Sequence, residues 1–316
     1  MTRALVVAVC GLVTVSCAAA ERLVRPPISA PAGAEFFTAA DGTRLFVSIA
    51  PADSSADPIA GRAERGAVWF VSGAEARAEP PDPTLAAALR EAGFSTVVFH
   101  PRGTGFSDGL RGDADDYELF LGDHHLFLKH LLGKFERVYL LGQSAGCAFA
   151  LEAAVQAPRS VSGIVLANPA WRLQTAKGMT PTFGDYLRFA WNLVFRPAAL
   201  TVDMNSKPEA VEFEPDRLEG LAMQNDPLVV RYFSMRYLAA QGRVMDRIPE
   251  NLAKLEVPLL LVQGAHDGLV DPKSFDELLT HSGAKDKTKL VAPEGGHGSS
   301  TVETQVDAVR AWLLAH

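Results

Sequence analysis

Val138-Tyr139-Leu140-Leu141-Gly142-Gln143-Ser144-Ala145-Gly146-Cys147 is the most informative stretch of this chain. Four apolar residues read as a short buried strand, and the alanine-rich run from Ala145 to Gln156 reads as a helix stopped by Pro158. Between them stands Gly142-Gln143-Ser144-Ala145-Gly146, a G-x-S-x-G pentapeptide in strand–turn–helix context. The turn has to be tight and strained, with strand and helix in close approach, which is why glycines flank the serine. Such a turn lifts the Ser144 hydroxyl above the sheet edge as a candidate nucleophile. The Ala145 amide then lies at a helix N-terminus, where free N–H groups and the helix dipole favour an anion.

The same alternation extends outward on both sides. Ala67–Val71, Thr96–Phe99, Ile164–Ala167, Leu259–Val262 and Lys289–Val291 read as further strands. Helical patterns at Leu85–Ala92, Asp115–Leu132, Phe275–Leu279 and Val302–Leu314 separate them. Phe36 to Ile49 reads as a hairpin around Asp41-Gly42, a tight-turn dipeptide. Short, wholly apolar strands alternating with helices predict an α/β fold, a mostly parallel sheet covered on both faces. In such sheets ligands bind beyond the carboxyl ends of the strands.

A serine hydroxyl needs a base to take its proton, and the base needs a carboxylate to orient it. In this sheet type the chain order is Ser, Asp or Glu, then His. Asp267 follows the strand Leu259–Val262, and His297 follows the strand around Leu290, within Glu294-Gly-Gly-His-Gly298. Glycines on both sides of His297 predict a loop that passes close to something. Asp271 is the rival acid, but it precedes Pro272 and reads as a helix N-cap. Of the other seven histidines, His124, His125 and His130 lie in a helix before the serine, and His266 would point elsewhere. A second oxyanion donor is expected from the loop after Val71, at the backbone N–H of Gly73 or Ala74.

Residues 171–250 break the alternation and predict an inserted helical cap without a strand run. They hold ten of the chain's 26 aromatic residues, most of which are expected to pack the cap onto the core. Tyr186, Phe189, Ala190, Leu193 and Val194 recur at helical spacing and predict one apolar face. The expected division is therefore a core over 35–170 and 251–316, with the cap between.

The chain has 316 residues, 48% hydrophobic and 21% charged, which excludes a disordered or collagen-like protein. A net charge of −7 with no Lys/Arg-rich run excludes nucleic acid as a partner. At the N-terminus, Arg3 precedes an apolar run from Ala4 to Val15, and small residues follow. That is the layout of a secretory signal over residues 1–20, since a spanning helix needs roughly 20 apolar residues. Val15-Ser16-Cys17 resembles the bacterial lipoprotein signal, with Thr14 where that pattern prefers Leu; Ala18-Ala19-Ala20 offers an ordinary cleavage site instead. The favoured reading is a lipidated Cys17, a Pro/Ala-rich tether over 21–34, and an exported, envelope-anchored protein; periplasmic or secreted release is the alternative. Only Cys147 of the three cysteines falls in the folded part, so no intramolecular disulfide is expected there, and no zinc-ligand spacing occurs.

With Ser144, Asp267 and His297 in order, the chain resembles the α/β-hydrolase superfamily, and within it the monoacylglycerol-lipase and lysophospholipase-like group related to serine aminopeptidases. The resemblance runs from about Phe36 onward. It rests on His100-Pro-Arg-Gly-Thr-Gly-Phe-Ser-Asp-Gly109, Gly142–Gly146, Asp226-Pro227-Leu228, Gly264-x-x-Asp267 and Gly296-His297. It implies a serine hydrolase of lipid or small acyl esters with a helical lid and no cofactor. Arg102 and Ser107 are expected to be structural, and Cys147 a small core residue. One departure stands out: the group carries His-Gly after the first central strand, where this chain has Ser72-Gly73. The alternatives are a peptidase or acyltransferase using the same triad, or a non-catalytic lipid-binding module on the fold.

Overall fold

In a computed structural model the described residues are 14–15, 26–53, 64–71, 82–174, 183–203 and 211–316. Among them β1 is Thr14–Val15, β2 Glu35–Thr38, β3 Arg44–Ala50, β4 Gly66–Val71, β5 Phe94–Phe99, β6 Val138–Gln143 and β7 Gly163–Ala167. The later strands are β8 Leu200–Asp203, β9 Tyr232–Ser234, β10 Leu259–Gly264 and β11 Lys287–Ala292. Eight of these form one sheet in the order β11-β10-β7-β6-β4-β5-β3-β2. The six strands from β11 to β5 pair in parallel, and β3 and β2 add an antiparallel edge. This is the α/β-hydrolase arrangement, and the predicted hairpin is its antiparallel edge.

The helices are α1 Pro83–Glu91, α2 Tyr117–Lys134, α3 Gly146–Gln156, α4 Phe183–Phe195, α5 Glu214–Asn225, α6 Met235–Asp246, α7 Ile248–Ala253, α8 Lys273–His281, α9 Ser300–Glu303 and α10 Val306–Ala315. Asp82 caps α1, its Oδ1 accepting from Leu85 N at 2.7 Å ahead of Pro83. Asp116 caps α2 in the same way, accepting from Glu118 N and Leu119 N. The strand β4 is buried along its whole length, as continuous apolar runs require of a central strand. Its residues alternate between two cores. Ala67, Trp69 and Val71 join Phe127, Leu131 and Phe149 on one face. Val68 and Phe70 join Leu85, Leu89, Trp312 and Leu313 on the other. Burial of each large side chain contributes about 1.5–3 kcal/mol.

Two expectations about the cap are corrected. It contains strands: β8 and β9 pair antiparallel, with Leu200 opposite Ser234 and Asp203 opposite Tyr232. At four and three residues they are too short to register as a period in the sequence. Thr14 and Val15, the end of the expected signal run, pair with Asp203 and Val202 on the other edge of β8. The helix α4 does form, but Tyr186, Ala190 and Val194 are exposed and only Phe189 of the five predicted residues is fully buried. Phe183, Leu187, Trp191 and Phe195 are exposed as well. This helix is apolar on nearly every side, so its spacing could not mark the side that packs. The end of the segment lies differently: Met235, Tyr237, Leu238, Val244 and Met245 of α6 share the main core with Phe149 of α3.

A third correction concerns the predicted helix over Val302–Leu314, which is broken at Thr304 and Gln305. The Thr304 hydroxyl donates to Ser300 O at 2.9 Å, a side-chain bond that disturbs a helix ladder.

Candidate active site

Ser144 sits at the carboxyl end of β6 with φ of +52°. A left-handed backbone at a serine costs of order 1–3 kcal/mol and persists only where the surroundings over-determine it. Here Ser144 N donates to Ala167 O at 2.9 Å, and Ser144 O accepts from Cys147 N and Ala170 N, both at 3.2 Å. Gly142 meets the helix directly behind this turn: a Cβ there would lie 2.7 Å from Cys147 Cα. Cys147 is buried, its thiol donating to Gly142 O and Ala167 O, and burial pushes that thiol well above its usual range. It is a core residue, as expected. Ala145 stands at the N-terminal cap of α3, where the first N–H groups have no intrahelical partner.

The structure brings Ser144, His297 and Asp267 together. Ser144 Oγ and His297 Nε2 are 2.8 Å apart, and His297 Nδ1 lies 2.9 Å from Asp267 Oδ2. The Asp267 side chain is 2% exposed and that of His297 15%, so the carboxylate is sealed while the imidazole reaches the surface of the site. Asp267 Oδ1 accepts from Leu269 N at 2.8 Å and Val270 N at 3.0 Å. One carboxylate oxygen is thus fixed by the backbone and the other is left for the imidazole. Asp271 takes no part: its Oδ1 accepts from Lys273 N at the start of α8. His266 faces away, its ring stacked on Phe213 of the cap at 4.9 Å. His124 is fully buried between Trp69 and Phe149, and burial holds its imidazole down to about 4.

Gly73 and Ala74 lie outside the described residues, as does Cys17.

Arg102 and Ser107 are structural. Arg102 donates to Asp123 through Nε at 2.6 Å and Nη2 at 2.9 Å, and to Asp41 through Nη1 at 2.9 Å. The Ser107 hydroxyl donates to His100 O and accepts from Phe46 N. This glycine-rich loop also moors the cap. Arg111 donates to Gly105 O and to Leu228 O of the Asp226-Pro227-Leu228 motif. Asp113 accepts from Ser234 Oγ and Arg236 Nε, both at 2.6 Å.

Sequence reasoning missed three residues around the imidazole. Asn168 follows the end of β7 and precedes Pro169. It is fully buried with φ of +46°. Its Nδ2 donates to Gly296 O at 2.7 Å and Thr301 Oγ1 at 2.8 Å, and its Oδ1 accepts from Gly264 N at 2.8 Å. One amide therefore ties the ends of β7 and β10 to the His297 loop. The other two are Asp216 and Glu219 of α5. Asp216 Oδ2 accepts from His297 N at 2.5 Å and Oδ1 from Gly298 N at 3.0 Å; Glu219 Oε2 accepts from Ser299 N at 2.8 Å. Burial pushes the Asp216 carboxyl up, and the amide hydrogen bonds pull it back. An asparagine at a strand end, a residue type that tolerates a left-handed backbone, is the signal that could have marked Asn168. Nothing in the pattern of α5 sets its two carboxylates apart.

Among the described residues, no group of three or more His, Cys, Asp or Glu side chains could hold a metal ion, and no helix is long and apolar enough to cross a membrane.

Comparison with known proteins agrees with the fold. The family described as "Serine aminopeptidase, S33" (Hydrolase_4) matches residues 62–304. The human monoglyceride lipase is 29% identical over 191 residues, covering 56% of this chain and 59% of that enzyme. The chain thus spans about three-fifths of this curated relative's length. Among solved structures, a monoglyceride lipase from Saccharomyces cerevisiae in complex with a substrate analogue superposes with a TM-score of 0.71 at 19% identity, covering 92% of this chain and 96% of that one. The Paleococcus ferrophilus monoacylglycerol lipase gives 0.65 at 22% identity, covering 86% and 99%.

Proposed function

This chain belongs to the serine aminopeptidase S33 (Hydrolase_4) family, and on that premise we propose that it hydrolyses carboxylic esters of lipid or small acyl type through an acyl-enzyme. The observation that supports this most is the unbroken relay from Ser144 Oγ through His297 to the sealed Asp267 carboxylate.

His297 Nε2 takes the Ser144 proton as Oγ attacks the acyl carbon. Asp267 holds the imidazole with its proton on Nδ1 and stabilises the imidazolium as it forms. The tetrahedral oxyanion is received by the Ala145 amide at the α3 N-terminus, with Gly73 or Ala74 supplying the second N–H. Collapse expels the alcohol, which leaves with the proton held on Nε2. Water then attacks the acyl-enzyme, giving a proton to His297, and releases the carboxylic acid as that proton returns to Ser144.

Monoacylglycerols and lysophospholipids are the substrates this reading favours. The similarity to monoglyceride lipases supports the first of these. So does α4, which turns Phe183, Leu187, Trp191 and Phe195 to solvent on the cap; exposed apolar patches of this kind mark surfaces for lipid or protein. A peptidase would need acidic cap side chains open to a substrate amine. Of the cap's acidic run Glu209, Glu212 and Glu214, Glu209 lies outside the described residues, Glu212 and Glu214 are exposed and Glu214 pairs with Arg217, while Asp216 and Glu219 accept from the His297 loop. That arrangement favours esters over a peptide N-terminus.

Export with a lipid anchor at Cys17 is part of the same proposal and rests on the signal-like order of residues 1–20. Cleavage before Cys17 would remove Thr14 and Val15 and free the β8 edge they pair with. Mass spectrometry of the mature N-terminus distinguishes a diacylglyceryl-cysteine from an unmodified end after Ala20.

The activity is tested with p-nitrophenyl esters of graded acyl length, wild type beside Ser144→Ala. Turnover is expected to fall by about 10³-fold or more in the variant, and the chain-length optimum measures the pocket under the cap. Turnover that persists in Ser144→Ala overturns the assignment.

A further inference from the structure

We propose that Asp216 and Glu219 of the cap are positioning residues for His297: the cap does not only cover the site but holds the base in register. The inference rests on the triad reading above.

The loop that bears His297 is held by the core on its carbonyl side: Gly295 O accepts from His266 N, Gly296 O from Asn168 Nδ2, and His297 O from Asn168 Nδ2 and Gln143 Nε2. Its amide side faces the cap. Three successive backbone N–H groups, those of His297, Gly298 and Ser299, all donate to two carboxylates on α5. The Ser300 hydroxyl donates to Asp216 Oδ1 at 3.2 Å and accepts from Gly296 N at 2.9 Å. Hydrogen bonds to charged acceptors contribute more than neutral ones. Both oxygens of Asp216 are engaged, so the carboxylate fixes the loop in position and in tilt.

The flanking glycines now have a reason. A Cβ at Gly296 would collide with Asp216 and Phe213, and a Cβ at Gly298 would collide with Glu219. The loop passes close to the cap, and only glycine lets the carboxylates reach its backbone. The spacing on α5 fits the task as well: residues three apart on a helix share a face, so Asp216 and Glu219 meet consecutive amides. When α5 is in place the imidazole is held against Ser144; when α5 moves, the same three amides lose their acceptors. Cap position and triad geometry are thereby one variable.

The test compares Asp216→Ala, Asp216→Asn and Glu219→Gln with wild type. A misplacement of about 1 Å costs about 10²-fold. Asp216→Ala is expected to lower kcat on a short p-nitrophenyl ester about 30- to 100-fold with KM within about threefold. Its rate of labelling by a small fluorophosphonate should fall in parallel, since that probe needs the Ser144–His297 pair and not the cap pocket. Asp216→Asn keeps one acceptor and should fall between. Hydrogen exchange at residues 297–299 should be at least about tenfold faster in each variant. A raised KM with an unchanged labelling rate would mean that the carboxylates serve only the substrate pocket, and would overturn the proposal. Unchanged exchange at residues 297–299 would overturn it whatever the activity. If Asp216→Ala does not fold, Glu219→Gln decides by the same two readouts. Should wild type react with neither ester nor probe, the hydrolase reading fails, and the exchange measurement still judges the clamp.

Discussion

Removing the Asn168 side chain should damage both stability and turnover, and the structure separates the causes. Asn168→Ala deletes three good hydrogen bonds in a fully buried place. Gly296 O keeps the Thr301 hydroxyl at 2.5 Å, so the main loss is Gly264 N, a buried donor left without its acceptor. That costs about 1–3 kcal/mol. The φ of +46° suits asparagine better than alanine, adding up to about 1 kcal/mol. The expected total is about 1–4 kcal/mol, measured by urea unfolding. Asn168→Gly accepts the backbone angle but makes none of the bonds, so it isolates the hydrogen-bond part. For catalysis, the His297 loop loses its only tie to β7 described here, and kcat/KM on a p-nitrophenyl ester should fall about 10²-fold in both variants. Asn168→Asp is the sharper control. It keeps the acceptor for Gly264 N but sets a carboxylate oxygen against Gly296 O, and should be no better than alanine. A stability change under about 0.5 kcal/mol, with kcat/KM within threefold of wild type, would refute the reasoning.

Other outcomes follow from the same geometry. Asp267→Asn should keep its oxygen on Leu269 N and Val270 N and turn its NH₂ to His297 Nδ1, leaving Nε2 protonated. Turnover should drop by about 10³–10⁴ while the melting temperature holds. Arg102→Ala strands the buried Asp123 carboxylate and should destabilise by about 3 kcal/mol; removing Asp123 as well should recover part of the loss in a double-mutant cycle. His124 is neutral when buried, with its imidazole held down to about 4 from an ordinary 6.5. A folded pKa below the unfolded one means that stability is full above pH 6.5 and is lost as pH falls toward 4. The loss reaches about 3 kcal/mol. His124→Phe should therefore lose less stability than wild type between pH 7 and pH 4.5 in urea titrations, and equal losses would exclude this role.

What could be read from the sequence was local and chemical. Gly142 to Gly146 announces its turn because a strained backbone admits few residues. Asp267 and His297 stand out because they follow apolar strand runs in the required order. The parallel sheet was legible because fully buried strands leave no polar alternation. The residues that hold the site are a different matter. Asn168, Asp216 and Glu219 work by meeting backbone N–H and C=O groups 80 to 128 positions away, and no pattern around them encodes such a partner. The same limit applies to α4: a helix apolar on most sides does not say which side is covered. It applies again to β8 and β9, whose pairing is fixed by tertiary contact rather than by their few residues.

The insertion of the cap between two neighbouring strands sets a timetable for synthesis. Ser144 is made 153 residues before its base, and β7 waits for β10 across a separation of 96 residues at the Asn168 tie. At about 5–20 residues per second, Ser144 exists for roughly 8–30 s before His297 is made. Closing so long a loop adds little free energy, about 0.6 kcal/mol per doubling of length, but non-local pairing of this kind slows folding. A growing chain thus presents an exposed serine turn with no base beside it. The Ser144–His297 contact forms only when the last strands join the sheet.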